Sequence, residues 1–240
     1  MLHIRDLNSG YGKLEVLFDI NLTAKEREIT VVVGPNGAGK TTLLNSISGL
    51  ATVHSGEILF MDKPLVGRPP YEIARMGVAY LPQLGNVFSE LSVHDNLVMA
   101  GYMLRKKGKE ELESRVDEVV EMFPILKQFI DRRAGTLSGG ERRMLAIAMA
   151  LLRRPKVMML DEAATDLAPK IATQMMNKVI ELRDELGMTI VLVEQSAKKA
   201  LEIGDQAYLL VSGRILFEGK PENLLAHPDF GRLYLGITPT

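Results

Sequence analysis

The stretch Gly34 to Thr42, GPNGAGKTT, holds the most specific chemistry in the chain. It fits the pattern G-x-x-x-x-G-K-[ST], and its flanks are an apolar run from Ile29 to Val33 and a helix-like LLNSISGL. Strand, glycine-rich turn and helix are the setting in which this pattern binds phosphate. Gly34, Gly37 and Gly39 permit backbone conformations that a β-carbon would strain. Successive N–H groups can then turn inward around phosphate oxygens. The helix N-terminus adds a partial positive charge, and Lys40 brings a full one to the β- and γ-phosphates. Thr41 offers a hydroxyl to Mg²⁺, a hard cation that takes oxygen ligands. Gly34, Asn36, Gly37, Ala38, Gly39, Lys40, Thr41 and Thr42 are therefore the candidate contacts to a nucleoside triphosphate and its Mg²⁺.

Two further stretches extend that chemistry. VMMLDE, Val157 to Glu162, places two carboxylates at the exit of an apolar strand. Beside a phosphate-binding loop, Asp161 is suited to the Mg²⁺ shell. Glu162 points differently and can accept a proton from an attacking water. A strand-terminating acidic pair is common in α/β proteins, and only the phosphate loop gives this one a chemical task. LSGGE, Leu137 to Glu141, sets Ser138, Gly139 and Gly140 just ahead of an apolar-faced helix. That arrangement makes a second N-terminal anion site, with backbone donors and a hydroxyl. Ser138 and Glu141 also fit a capping box, and the two readings are compatible.

The elements that must position these groups can be read from periodicity. LHIRDLNSGYG and VLFDINLTAK predict two strands around a Gly10–Gly12 turn that holds Tyr11. Ser55-Gly56 is expected to open a strand, GEILFMDK, followed by a loop at Gly67 to Pro70. GVAYLPQ predicts a short buried strand ending at Gln83. From Ser92 to Leu152 the pattern becomes helical. Leu112, Val116, Val119, Val120 and Phe123 share one face, and Met144, Leu145, Ala148, Leu151 and Leu152 repeat it. The basic run Arg105, Lys106, Lys107 and Lys109 reads as a solvated loop. KVMMLDE and GMTIVLVEQ are continuous apolar strands, as in a parallel sheet covered on both faces. Between them lies a helix with Ile171, Met175, Val179, Leu182 and Leu186 on one side. AYLLVSGRILFEG reads as a hairpin, with short helices at PENLLA and FGRLYLG.

Bulk properties exclude several other classes. The chain has 240 residues, 46% hydrophobic and 25% charged, the balance of an ordinary globular protein. A net charge of −1 offers no pull toward nucleic acid. There is no cysteine, so disulfides, thiolate metal sites and cysteine nucleophiles are absent. His3, His54, His94 and His227 have no ligand-like spacing. No uncharged run approaches the ~20 apolar residues that cross a bilayer, and MLHIRDL reaches charge too early for an export signal. The expectation is a cytoplasmic protein whose contact with a membrane comes through a partner.

The phosphate loop, Leu81–Gln83, LSGGE and VMMLDE, in this order, resemble the ATP-binding subunit of an ABC transporter along essentially the whole chain. The resemblance implies an α/β fold with three parts. These are a P-loop NTPase core with a mostly parallel sheet, an N-terminal antiparallel β subdomain and an inserted α-helical subdomain. Residues 1–240 would form a single nucleotide-binding domain, its helical part at about 90–155. Tyr11 would stack on adenine, and Gln83 would join the Mg²⁺ and sense the permease. Ser138, Gly139 and Gly140 would meet the γ-phosphate of ATP held by a second nucleotide-binding subunit. MFPILKQ, RAGTLSGGE, DLAP, IVLVEQSAKKAL and RLYLG are similar to the branched-chain amino acid importers, within a wider family for hydrophobic amino acids and amides. Such importers imply two transmembrane permease subunits, a paired ATPase subunit, and an extracytoplasmic solute-binding protein acting indirectly. The chain would sit on the inner face of the cell membrane, with ATP and Mg²⁺ as cofactors and no nucleic acid.

Several residues depart from the general pattern. Ala163 stands where the family usually has proline, and the stretch ending at Ala168 lacks its usual aspartate. Gln195 replaces the switch histidine; it can hydrogen-bond a γ-phosphate but cannot carry a proton. Arg142 and Arg143 replace the glutamines common after LSGGE and read as a solvated helix face. Two alternatives remain open from the residues: a regulatory ATP-binding module without efficient turnover, and a soluble ABC ATPase not tied to transport.

Overall fold

A computed structural model describes residues 1–83, 86–102, 108–228 and 230–234. Arg105, Lys106 and Lys107 of the basic run, and Leu235 and Gly236 of RLYLG, lie outside them. The chain begins with β1 (Leu2–Tyr11) and β2 (Leu14–Ala24), an antiparallel pair in which Leu2 faces Ala24 and Tyr11 faces Leu14. Tyr11 thus ends a strand instead of lying in the turn. Next come β3 (Ile29–Val33), buried at every residue, α1 (Lys40–Ile47) and β4 (Thr52–Phe60). β4 starts before Ser55-Gly56, and the expected start is instead an irregularity in its pairing with β1 between Arg5 and Asn8. It also ends earlier than predicted. Met61 and Asp62 take positive φ angles, 50° and 60°, and turn the chain into β5 (Lys63–Pro64). The expected loop at Gly67 to Pro70 is cut short by α2 (Pro70–Met76), because proline suits a first helical turn. It leads into β6 (Val78–Leu81).

The predicted helical block follows as α3 (Val93–Ala100), α4 (Lys109–Glu121), α5 (Pro124–Gln128) and α6 (Gly139–Leu151). Ser92 caps α3 by accepting from the Asp95 N–H, and Leu112, Val116, Val119, Val120 and Phe123 are buried together. The block is inserted between strands that are neighbours, since β6 pairs in parallel with β7 (Val157–Asp161), Val78 opposite Val157. Then come α7 (Pro169–Leu186), β8 (Thr189–Glu194) and α8 (Ala197–Leu201). On α7, Met175, Val179 and Leu182 are buried as predicted. Ile171 is only partly covered, and Leu186, at the helix end, is exposed. The hairpin β9 (Gln206–Val211) and β10 (Arg214–Gly219) precedes the short helices α9 (Pro221–Leu225) and α10 (Phe230–Tyr234).

Two sheets result. The N-terminal strands form an antiparallel sheet in the order β2-β1-β4-β5, and the second sheet runs β10-β9-β3-β8-β7-β6. Its five inner and right-hand strands β9, β3, β8, β7 and β6 are parallel, and only β10 is antiparallel. Period-two alternation splits the apolar side chains between two cores. Val32, Met159 and Val193 pack with α1 and the N-terminal sheet, whereas Val31, Leu160 and Leu192 pack against the helical block and α7. Burial on both faces explains why β3, β7 and β8 read as unbroken apolar runs. The carboxyl ends of β3, β6, β7 and β8 open on one edge, where ligands bind in open α/β sheets. Among the described residues no helix is long and apolar enough to cross a membrane.

Candidate active site

The loop after β3 has the geometry that its glycines allow. Gly37 and Gly39 take φ angles of 77° and 105°, which strain other residues, whereas Gly34 needs space: a β-carbon there would lie 2.0 Å from the Leu210 carbonyl oxygen. Gly39 is the N-cap of α1 and supplies no side-chain acceptor, so the first N–H groups of the helix are not capped from within. Asn36, Gly37 and Thr41 are exposed, while Ala38 and Thr42 are buried. Lys40 is 5% exposed, and its ammonium donates to the carbonyls of Gly34 at 2.9 Å and Pro35 at 3.0 Å. Burial lowers its pKa, opposed by the negative charges of Glu162, Asp161 and Glu194. A cation held by two neutral carbonyls, with carboxylates nearby, is ready to exchange them for a polyanion.

Asp161 and Glu162 leave β7 in different directions, as the sequence predicts. Asp161 is 3% exposed, and its Oδ2 accepts from the Tyr80 hydroxyl at 3.3 Å. Its Oδ1 is buried with no hydrogen-bond partner among the described residues. Burial raises its pKa, while the Thr41 and Tyr80 hydroxyls and the charges of Lys40 and Arg143 pull it down. The Thr41 hydroxyl is thus close enough to act on the carboxyl, though outside hydrogen-bond geometry to Oδ1. A buried carboxylate oxygen without a partner, on a carboxyl that a hydroxyl influences, is what a hard divalent cation would satisfy. The residues present fit Mg²⁺.

Glu162 has a left-handed backbone, φ 53°, which turns it out of the strand direction. Its N–H donates to the Val193 carbonyl at 2.8 Å. Gln83, just beyond β6, donates from Nε2 to Glu162 Oε2 at 3.0 Å, and Lys40 Nζ lies 3.9 Å from Oε1. Gln83, from the end of β6, and Lys40, from the start of α1, therefore converge on one carboxylate that is 14% exposed.

The other predicted groups lie around this centre. Tyr11 is 45% exposed, and its hydroxyl accepts from Asn45 Nδ2 at 2.7 Å. The ring is thereby tied to α1 with its surface open. Ser138 caps α6 in a complete capping box: its hydroxyl accepts from the Glu141 N–H, and Glu141 Oε2 accepts from the Ser138 N–H at 2.7 Å. Ser138 and Gly139 are exposed, and Gly140 is pressed against α7, where a β-carbon would meet Ile171 Cγ2 at 2.3 Å. These hydrogen bonds stay within the first turn of α6 and do not join the phosphate loop. Gln195 is exposed at the end of β8, and its backbone carbonyl lies 2.7 Å from the Tyr234 hydroxyl.

Sequence reasoning missed four residues here. Tyr80 holds Asp161. Tyr234, read as part of a terminal helix, touches the carbonyls of both Gln195 and Gly34, the latter at 3.1 Å. Glu194, read as a strand end, is fully buried and accepts from the Ala164 N–H at 2.8 Å and the Thr165 hydroxyl at 3.3 Å. Arg143 corrects the reading of a solvated face. Only Arg142 is exposed, and the Arg143 guanidinium donates to the carbonyls of Gln83 at 2.6 Å and Glu162 at 2.7 Å.

A phosphate loop after the first strand of a parallel sheet, with an acidic pair two strands away, defines a P-loop nucleoside triphosphatase. The ABC transporter family model matches residues 17–165. The chain is 50% identical over 237 residues to the probable branched-chain amino acid transport ATP-binding protein LivF of Archaeoglobus fulgidus, covering 99% of both chains. The fold matches the ADP conformation of MJ1267, an ATP-binding cassette of an ABC transporter, with a TM-score of 0.87, 28% identity and 98% of each chain covered. It also matches the dimeric post-hydrolysis structure of the ATP-binding cassette MJ0796 bound to ADP and Pi, with a TM-score of 0.80, 26% identity, and 92% and 99% of the two chains covered. The chain belongs to the ABC transporter family, as an ATP-binding and ATP-hydrolysing subunit.

Proposed function

We propose that this subunit powers an importer for branched-chain amino acids, or related amino acids and amides, by hydrolysing ATP at a site shared with a second ATPase subunit. The observation that carries the solute assignment is the 50% identity to LivF along 99% of both chains. Two permease subunits would seat the chain on the inner face of the membrane, and an extracytoplasmic binding protein would deliver the solute. The test is reconstitution of the chain with its permease pair and binding protein in vesicles. Leucine, isoleucine or valine should stimulate ATP hydrolysis and accumulate. ATP turnover indifferent to all three would refute the solute assignment.

The residues divide the work by their chemistry. Lys40 leaves the Gly34 and Pro35 carbonyls for the β- and γ-phosphates, while the N–H groups of the loop from Gly34 to Thr42 line the oxygens. Thr41, Asp161 and Gln83 would hold Mg²⁺, which when bound neutralises phosphate charge. Glu162 takes the proton of the attacking water, and Gln83 orients it by the hydrogen bond already present. Gln195 supplies a neutral amide toward the γ-phosphate. Tyr11 offers its open ring to adenine. Ser138 and the amides of Gly139 and Gly140 have their own helix N-terminus to present, and they serve the ATP of the paired subunit. The Gln83–Glu162 and Lys40–Glu162 contacts exist alongside the departures at Ala163 to Ala168, and they support turnover over a purely regulatory module.

A further inference from the structure

Arg143 lies on α6, one turn into the helix that Ser138 and Gly139 open, yet it reaches two other loops. One donor meets the Gln83 carbonyl at 2.6 Å and another meets the Glu162 carbonyl at 2.7 Å. Both are short, charge-assisted bonds from a planar fork that fixes direction as well as distance. The residues so held are the partners of the Gln83–Glu162 side-chain bond, and Glu162 occupies a left-handed backbone that the local chain does not favour. Around the guanidinium stand the carboxyls of Glu194, Asp161, Glu162 and Asp166, while burial disfavours its charge. A cavity of about 400 Å³ beside it is lined by Gln83, Gly139, Arg143 and Thr165, so these segments meet with room to adjust.

We propose that Arg143 is a positioning residue that fixes the backbones of Gln83 and Glu162 relative to α6, so that the hydrolytic carboxylate is held in its working orientation. Lysine cannot make both bonds at this span with one fixed geometry, and glutamine can make neither charge-assisted bond. The inference rests on Glu162 being the general base.

The experiment is a double-mutant comparison on the full chain, with ATP affinity, KM and kcat measured for each variant. Arg143→Gln should lower kcat by roughly 10–100-fold and leave KM within about threefold, because orientation and not ground-state binding is lost. Arg143→Lys should recover part of that loss at an unchanged melting temperature. In a Glu162→Gln background, Arg143→Gln should add less than about twofold, since the group it positions is already disabled. A parental kcat in Arg143→Gln, or the same loss in both backgrounds, overturns the inference. Should Arg143→Gln not fold, Arg143→Lys decides alone: a kcat reduced at unchanged KM supports the inference, and a parental kcat overturns it. If Glu162→Gln by itself keeps the parental rate, the base assignment fails along with the inference. That outcome is recognised because it arises with Arg143 intact.

Discussion

Glu194 gives a prediction whose size follows from its surroundings. It ends β8, is fully buried, and accepts from the Ala164 N–H and the Thr165 hydroxyl. Burial pushes its carboxyl up from 4.5 to about 7. Those two hydrogen bonds and the Arg143 charge pull the other way, and the Glu162 charge adds to the rise. The folded state therefore keeps this proton to higher pH than the unfolded chain. The contribution to stability is complete below about pH 4.5 and is lost as pH rises through about 7. Integrating that difference from pH 5 to pH 8 gives a loss of about 2–3 kcal/mol for this group alone. Glu194→Gln removes the ionisation while its amide oxygen can still accept from Ala164 and its NH₂ can donate to Thr165. The melting temperature of the variant minus that of the parent should rise across this range by roughly 5–10 °C for a chain of this size. Thermal unfolding followed by circular dichroism, at constant ionic strength in phosphate-free buffers, measures it. A difference that is flat or falls with pH would refute the reasoning, because a raised Glu194 pKa must cost the parent stability relative to the variant as pH rises.

Other predictions address the centre directly. Lys40→Ala should abolish ATP binding or turnover, because the polyanion loses the one cation of its loop; unchanged affinity and hydrolysis would exclude the phosphate site. Glu162→Gln should keep ATP binding and lose roughly 10²–10⁴ in kcat, with the ATP-bound form accumulating. If the site is shared, specific activity of the isolated chain should climb with protein concentration, or recover on mixing with a related subunit. Ser138→Arg should then block hydrolysis while sparing binding, and activity at a demonstrated monomer that ignores this substitution would remove the shared site. Tyr234→Phe should cost about 1 kcal/mol of stability, since it removes the hydroxyl shared by the Gly34 and Gln195 carbonyls; an unchanged melting temperature would show that bridge to be idle.

What the sequence made legible and what it hid separate along a physical line. The positions of the phosphate loop, Asp161 and Glu162 could be read because local backbone sets them: a turn that needs glycine and a strand that ends at an acidic pair. The apolar runs of β3, β7 and β8 likewise declared a sheet covered on both faces. Strand limits were less legible where an irregularity or a positive φ decides them, as at Gly56 and at Met61-Asp62. Tyr234 was hidden because its partners are remote in sequence, Gly34 lying two hundred positions earlier.

Arg143 and Glu194 are a different case, since each left a trace that pattern alone contains. On α6, Gly140, Ile147 and Leu151 are buried and fall at intervals of seven and four, and position 143 lies on that same stripe. An arginine there faces the protein interior, and a buried guanidinium must find acceptors, because an unsatisfied one costs far more than a bond to solvent. Glu194 follows an unbroken apolar run in β8 and is buried like the residues before it. A carboxylate in that position needs donors, and the N–H of Ala164 and the hydroxyl of Thr165 are those donors. The rule that follows is to ask of every charged residue on an apolar stripe which loop must come to meet it. Applied to position 143, the rule asks for carbonyls from the loops at the strand ends, and it finds them on Gln83 and Glu162.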